Sequence, residues 1–325
     1  MTPAPPQWTY RVFGLTVSSD SAIEGVVPIT QATIADVRIR TGSGPVTGLR
    51  ETSPDHISSY VDEAGRPLAT VYADDTWLQF VLSTGASYVL NRQGSEIWVD
   101  AGATSNADVS EVLLSPMLAM TLRHRGVVCL HASAVTFGQD AVLFIGTERA
   151  GKSSLAAACV LQGARLITDD VAALAWSPAT GQLGVHVGPP YIRARPGAVD
   201  RVASQWAGNV GPASTGDWID LDARDHASSI EEGPLPISTI FVLEPSPSQE
   251  LSLHGAEAVV RLLAHTWPTR WLTRALRVRE LATLEHLVEQ ASIQYLPRRS
   301  DADLVRTVLD AVGARLVPPR GCDDT

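Results

Sequence analysis

The sequence predicts an α/β protein in two parts. A strand-rich domain covers 1-122, and a second domain over 123-325 holds a mixed sheet with flanking helices. Three observations lead there. Residues 1-122 carry short runs rich in Val, Ile, Tyr and Trp, separated by Gly, Asp, Asn and Ser turns. Near residue 109 the apolar period changes from two to that of a helix. Beyond residue 126, apolar strand-like runs alternate with helix-like segments.

The first domain reads as strands at Tyr10–Val17, Ile34–Ile39, Leu68–Tyr72, Trp77–Leu82, Tyr88–Leu90 and Ile97–Val99, with turns such as Asp74-Asp75 and Arg92-Gln93-Gly94. No chemistry is visible in it, and it reads as a docking or oligomerisation module. Val109–Arg123 suits an amphipathic helix through Val112, Leu113, Met117, Leu118, Met120 and Leu122. A strand candidate follows at Gly126–Leu130, then the segment His131–Val135, and after a turn at Gly138-Gln139-Asp140 a second apolar strand at Ala141–Ile145. Ser153–Leu161 reads as an Ala-rich helix with Gly163 as its C-cap. Arg165–Thr168 and Val171–Trp176 read as strands on either side of Asp169-Asp170. Farther on, Ile237–Leu243 reads as a strand. Ala256–His265, Arg270–Arg277, Leu281–Gln290 and Asp301–Val312 read as helices, and Pro189-Pro190 and Pro196-Gly197 mark loops.

The 325 residues are 45% apolar and 18% charged, a globular composition with room for one large domain or two ordinary ones. The net charge of -10 offers no global positive field for a nucleic-acid backbone. Cys129, Cys159 and Cys322 are widely spaced, which implies neither a disulfide framework nor a cysteine metal site. A reducing compartment fits. No signal-peptide pattern and no apolar run of roughly 18 residues is visible. The expectation is a soluble, cytoplasmic protein with no membrane partner.

Gly146-Thr147-Glu148-Arg149-Ala150-Gly151-Lys152-Ser153 fits G-x-x-x-x-G-K-[ST] at every fixed position, with a strand before it and a helix after it. The spacing has a physical reason. Glycines let consecutive N–H groups point inward at phosphates. The helix that follows presents unpaired N–H groups and its positive dipole end. Lys152 reaches the β- and γ-phosphates, and the Ser153 hydroxyl ligates Mg²⁺. Ser154, next on the first helical turn, is expected to bind nucleotide with the loop residues. The bland alternative is a chance glycine turn. Glu148 suits the loop only if it points outward, and Arg149 beside it offers a compensating charge.

Asp169 and Asp170 close a strand beside this loop. Successive strand residues point opposite ways, so the two carboxylates are expected to take different roles. One would bind metal, and the other would accept the proton of an attacking hydroxyl. The bland alternative is a solvated polar turn. His131, at the end of the preceding strand, is either a hydrogen-bonded structural residue or part of the same site.

These elements resemble the HPr kinase/phosphorylase family, whose fold is related to phosphoenolpyruvate carboxykinase. The segments that carry the resemblance are LHASAV, GTERAGKSS and GARLITDDVAAL, within 115-200. More closely, the chain resembles HPr kinase-related proteins of bacterial gene clusters, some of which phosphorylate a serine of ribosomal peptides, lasso peptides included. That likeness extends to Tyr10–Asp20 and to the basic stretch from Pro190 to Pro196. It implies an HPr kinase C-terminal-domain-like phosphate-loop core, with ATP and Mg²⁺ as cofactors and a Ser or Thr hydroxyl of a peptide or protein as acceptor. It implies Lys152 on the phosphates, Ser153 and Asp170 on the metal, Asp169 as general base, and His131 orienting Asp169. It also implies Arg193 or Arg195 at the transferring phosphate. The chain departs from the family loop, usually Gly-x-Ser-Gly-x-Gly-Lys-Ser, at Glu148 and Arg149. It carries no clear copy of the glycine-rich signature for phosphorolysis, which favours a kinase-only enzyme.

Arg261, Arg270, Arg274, Arg277 and Arg279 gather in the late helical region, either as a solvated face or as a receiver for an acidic peptide or the ATP tail. Trp267 and Trp271 would share a helix face if one helix includes both. Two other function classes stay open: a nucleotide-binding accessory or sensor protein without phosphotransfer, and a small-molecule kinase or an enzyme resembling phosphoenolpyruvate carboxykinase. A homo-oligomer is compatible with the sequence.

Overall fold

The structure is a computed structural model that describes residues 8-30, 34-46, 48-194, 206, 210-212, 219-228, 233-244, 252-296, 301-311 and 313. It is a mixed α/β fold with strand-rich sheets and few helices. The chain separates into two compact units, Met1–Val127 and Val128–Thr325. No helix among the described residues is long and apolar enough to cross a membrane.

The first unit is built on an eight-stranded sheet: β1 (Trp8–Val12), β2 (Leu15–Ser19), β3 (Val37–Thr41), β4 (His56–Ile57), β5 (Ala69–Ala73), β6 (Trp77–Leu82), β7 (Ser87–Asn91) and β8 (Glu96–Asp100). The spatial order is β1-β2-β3-β8-β7-β6-β5-β4. The run predicted as one strand over Tyr10–Val17 is instead a hairpin. Phe13 and Gly14 both take positive φ, 52° and 74°, the backbone of a tight hairpin turn. Phe is not a turn residue, so composition concealed the turn. The helix predicted at Val109–Arg123 is interrupted as well. It runs as α1 (Asn106–Val112), a π-helical turn (Leu113–Met117) and α2 (Leu118–His124). Pro116 inside that turn has no N–H to donate to the helical ladder.

The second unit places β9 (Cys129–Thr136) at its centre, antiparallel to β10 (Ala141–Ile145) on one edge. On its other edge lie β11 (Arg165–Thr168) and then β12 (Val171–Trp176). β13 (Leu183–Val185) joins β12 to β17 (Leu235–Val242), and β17 runs parallel to β10. The pairings β10–β9–β12–β13–β17–β10 therefore close into a ring. β18 (Ser252–Leu253) and β19 (Ser292–Tyr295) extend the sheet beyond β17. A small antiparallel sheet holds β14 (Tyr191–Ala194), β16 (Ile219–Asp222) and β15 (Val210–Pro212).

Two cores follow from the strand period of two. Leu130, Ala132, Ala134, Leu143 and Ile145 face one core, closed by Ala258 and Leu262 of α4 (Gly255–Ala264) and Leu284 and Leu287 of α5 (Arg274–Gln290). Val135, Val142 and Phe144 face the other, with Leu155, Ala156, Cys159 and Val160 of α3 (Lys152–Leu161). Ile192 and Leu221 of the small sheet and Val308 of α6 (Asp301–Ala311) close that side. The two helices predicted at Arg270–Arg277 and Leu281–Gln290 are the single α5. Because α5 begins at Arg274, neither Trp267 nor Trp271 lies on it.

Ring closure brings backbone against backbone at Gly184. A Cβ there would stand 2.6 Å from the Leu235 carbonyl oxygen. Neither strand has a flexible side chain that can yield at that point. Gly184→Ala should cost about 1–3 kcal/mol in chemical denaturation, and an unchanged midpoint would show that β13 and β17 are not tightly paired.

Candidate active site

The sequence-predicted residues converge where the start of β9 meets the end of β10 in the second unit, and His131 lies within β9 rather than at a strand end. β10 ends at Ile145, which pairs with Ala132, and the chain then leaves the sheet as the loop 146-151 before α3 begins. Two glycines allow this path. A Cβ on Gly146 would meet the Ala150 Cβ at 3.0 Å, and Gly151 at the helix N-cap has φ +101°. No side chain caps α3, so its first-turn N–H groups face the loop side without a capping partner. Arg149 is also left-handed, at φ 66°. Glu148 and Arg149 are both exposed and stand 3.9 Å apart, so the charge inside the motif points outward with a counter-charge beside it. Thr147 is exposed, and Ser154 lies half-buried on the first turn of α3.

Lys152 is buried. Its Nζ donates to the carbonyls of Gly146, at 3.0 Å, and Thr147, at 3.2 Å. Burial pulls its pKa below the usual lysine value, and the charges of Asp170, Asp169, Glu148 and Glu244 oppose that shift.

Asp169 is the most heavily bonded group of the cluster. Its Oδ1 accepts from the Ser133 hydroxyl at 2.5 Å and the Ser153 hydroxyl at 3.0 Å. Its Oδ2 accepts from the Arg193 backbone N–H at 3.0 Å. Burial nevertheless raises its pKa above the usual carboxylate range. The Ser133 bond lowers it, and the neighbouring Asp170 charge adds to the rise. Asp170 goes elsewhere. Its backbone is left-handed, at φ 71°, and its Oδ1 stands 2.8 Å from His131 Nδ1. Both side chains are half-exposed. Trp267 packs edge-on against the His131 ring and donates Nε1–H to the Asp170 carbonyl at 3.3 Å.

The structure thus brings together Lys152, Ser153, Asp169, Asp170 and His131, but it pairs them differently from the family-based expectation. His131 meets Asp170 rather than Asp169, and Ser153 meets Asp169 rather than Asp170. Arg193 lends its backbone to Asp169, while its guanidinium forks onto Asp220 at 2.8 and 2.9 Å and lies over the Tyr191 ring. Arg195 and Pro196-Gly197 lie outside the described residues. Arg270, Arg274, Arg277 and Arg279 are exposed, whereas Arg261 is bound to Glu244 and Tyr295. Ser133, Glu244 and His265 had no assigned place. Ser133 carried a usable signal: it stands two residues from His131 on the same strand, hence on the same face.

No protein-family model matches the chain, and no curated protein matches it. Among solved structures it is similar to the Hpr(Ser) kinase/phosphatase from Coxiella burnetii. The two are 16% identical, the match covers 57% of this chain and 88% of that one, and the TM-score is 0.33. A likeness of that size assigns neither family nor activity, so the functional reading stands on the geometry of the site.

A stability consequence follows from Asp169. Its folded-state pKa lies above its unfolded value, so the folded state holds the proton more tightly. Between the two values the unfolded state binds fewer protons, and stability falls as pH rises through that window. Asp169→Asn, in buffer stripped of divalent cations, should therefore gain in Tm relative to wild type as pH rises from 4, reaching a plateau above the folded pKa. A pH-independent Tm difference would show that Asp169 is not destabilised by burial.

Proposed function

We propose that the second unit is a Mg·ATP-dependent kinase that transfers the γ-phosphoryl group to a hydroxyl, that of a Ser or Thr in a peptide or protein. The single observation that carries this reading is the meeting of Ser153 and Asp169 at 3.0 Å beside the buried Lys152. A hydroxyl from the first helical turn and a carboxylate from the neighbouring strand form a hard-oxygen corner. Mg²⁺ favours such a corner, taking one or two protein oxygens together with phosphates. Ser153 and Asp169 would hold the metal, which would neutralise charge on the phosphate oxygens. The uncapped start of α3 and the loop N–H groups would hold the phosphates. Lys152 would exchange its two loop carbonyls for phosphate oxygens.

The contacts favour an exchange of the two aspartate roles implied by the family. Asp169 has three donors committed to it and lies buried against Ser153. Asp170 is half-exposed and oriented by His131. Asp170 would take the proton of the acceptor hydroxyl. The acceptor oxygen forms its bond to the γ-phosphorus as the bond to the β–γ bridging oxygen breaks, and ADP leaves. His131 holds the Asp170 carboxylate toward the acceptor. A lasso-type precursor is one candidate acceptor, drawn from the resemblance of the motifs alone.

Calorimetry with Mg·ATP should show binding by the wild type and a loss of at least about tenfold in affinity for Lys152→Ala. Absence of binding by both proteins would sink the nucleotide reading, and binding without any phosphorylated product would favour a sensor. Asp170→Asn should keep Mg·ATP affinity and lose roughly 10²–10³ in kcat. Asp169→Asn should instead raise the Mg²⁺ concentration needed for ATP binding. The reverse pattern would restore Asp169 as the base.

A further inference from the structure

The loop 146-151 leaves a gap in the sheet, and a distant segment fills it. β10 pairs with β9 only as far as Ala132. Beyond that point the same edge of β9 is taken by residues 265-267. The His131 N–H donates to the His265 carbonyl at 2.7 Å, Leu130 bridges to Thr266, and the Trp267 N–H donates to the Cys129 carbonyl at 2.9 Å. The stretch of backbone that carries His131 is therefore held by the segment that also sets Trp267 edge-on against its ring.

One carboxylate lies against that segment. Glu244 lies two residues beyond β17, and Leu243 N–H still donates to the Ile145 carbonyl at 2.8 Å. Glu244 thus emerges one residue past the level of Gly146, which lies against Leu243. Its Oε1 stands 3.2 Å from His265 Nε2, and its Oε2 accepts from Arg261 Nη1 at 2.7 Å. Arg261 is fixed in turn by the Tyr295 hydroxyl at 3.1 Å and by the Tyr295 ring beneath it. Tyr295 pairs with Val242 on the neighbouring strand, so the anchor rests on the sheet. His265 is buried and Glu244 is partly buried, at 7% and 14% side-chain exposure. Loss of the carboxylate would leave a buried imidazole and a guanidinium without it, and such groups relocate or draw in water.

We propose that Glu244 is a positioning residue for His131, acting through His265 and the 265-267 segment. The carboxylate meets His265, whose backbone carbonyl accepts from the His131 N–H, and Arg261, which Tyr295 fixes to the sheet. The orientation of the ring is a property of the protein alone, whereas an effect on turnover rests on the kinase reading above.

The test uses the full chain in two measurements. Long-range ¹H–¹⁵N spectra report the His131 ring nitrogens, assigned with His131→Gln. Glu244→Ala should shift the His131 signals, Glu244→Gln should return them toward wild type, and His265→Phe should shift them as Glu244→Ala does. Should Glu244→Ala fail to fold, His265→Phe decides alone. In transfer assays Glu244→Ala should lower kcat roughly ten- to a hundredfold, with the KM for ATP within about twofold. Unmoved His131 signals in the folded variants overturn the proposal, as does an unchanged kcat or a loss confined to KM. A wild type that transfers nothing refutes the kinase reading instead, and the spectra then decide the positioning by themselves.

Discussion

The second unit is organised around one buried carboxylate. Burial of Asp169 disfavours its charge, and the chain offsets that cost with three donors from three different elements. Ser133 comes from β9, Ser153 from α3 and the Arg193 N–H from β14. Each donor fixes something beyond the carboxylate. Ser153 ties the start of α3, and hence the end of the loop, to the turn between β11 and β12. Arg193 ties the small sheet to the same point. The same elements also send Val135, Leu155 and Ile192 into one apolar core. Non-directional packing sets the layers, and directed hydrogen bonds set the register of the loop against the strands.

Alternation along β9 then decides which residues can join. Leu130, Ala132 and Ala134 face one core, and His131, Ser133 and Val135 face the loop side. Small residues at 132 and 134 let the strand lie close within the ring, while 131 and 133 offer polar atoms at successive depths. Ser133 lies deep and bonds Asp169, and His131 lies nearer the surface and meets Asp170. By strict alternation Asp170 would point away from Asp169. The left-handed backbone at Asp170 removes that constraint and turns its carboxylate to His131. A non-glycine residue there carries strain, which the His131 contact and the Trp267 bond to the Asp170 carbonyl help to hold.

Much of this was legible in the sequence, for identifiable reasons. Ala141–Ile145, Arg165–Thr168 and Val171–Trp176 match their predicted spans because each is a bounded apolar run. The gathering of Lys152, Ser153, Asp169, Asp170 and His131 was expected from short-range spacing. The pairing among them was not, because it depends on backbone φ at a single residue. Ser133 was within reach of the same alternation argument. Glu244 and His265 were not, since no local pattern marks them and ring closure brings them to the loop. The hairpin at Phe13-Gly14 and the π-helical turn at Pro116 were missed because a local backbone exception overrode a clear apolar period.

The same geometry explains how the site could prefer an anionic ligand without being strongly basic. The chain carries a net charge of -10, and four carboxylates act electrostatically on Lys152. A general positive field is therefore absent, and attraction must come from groups at contact distance. Lys152 Nζ now bonds two neutral carbonyls, and the first-turn N–H groups of α3 have no side-chain cap. Charge-assisted bonds are roughly twice as strong as bonds to neutral acceptors. A phosphate that replaces the carbonyls would improve every one of these bonds together. It would also oppose the burial that draws the Lys152 pKa down. Selectivity for phosphate would then arise from donors left undersatisfied by the fold and would survive the acidic surface around them.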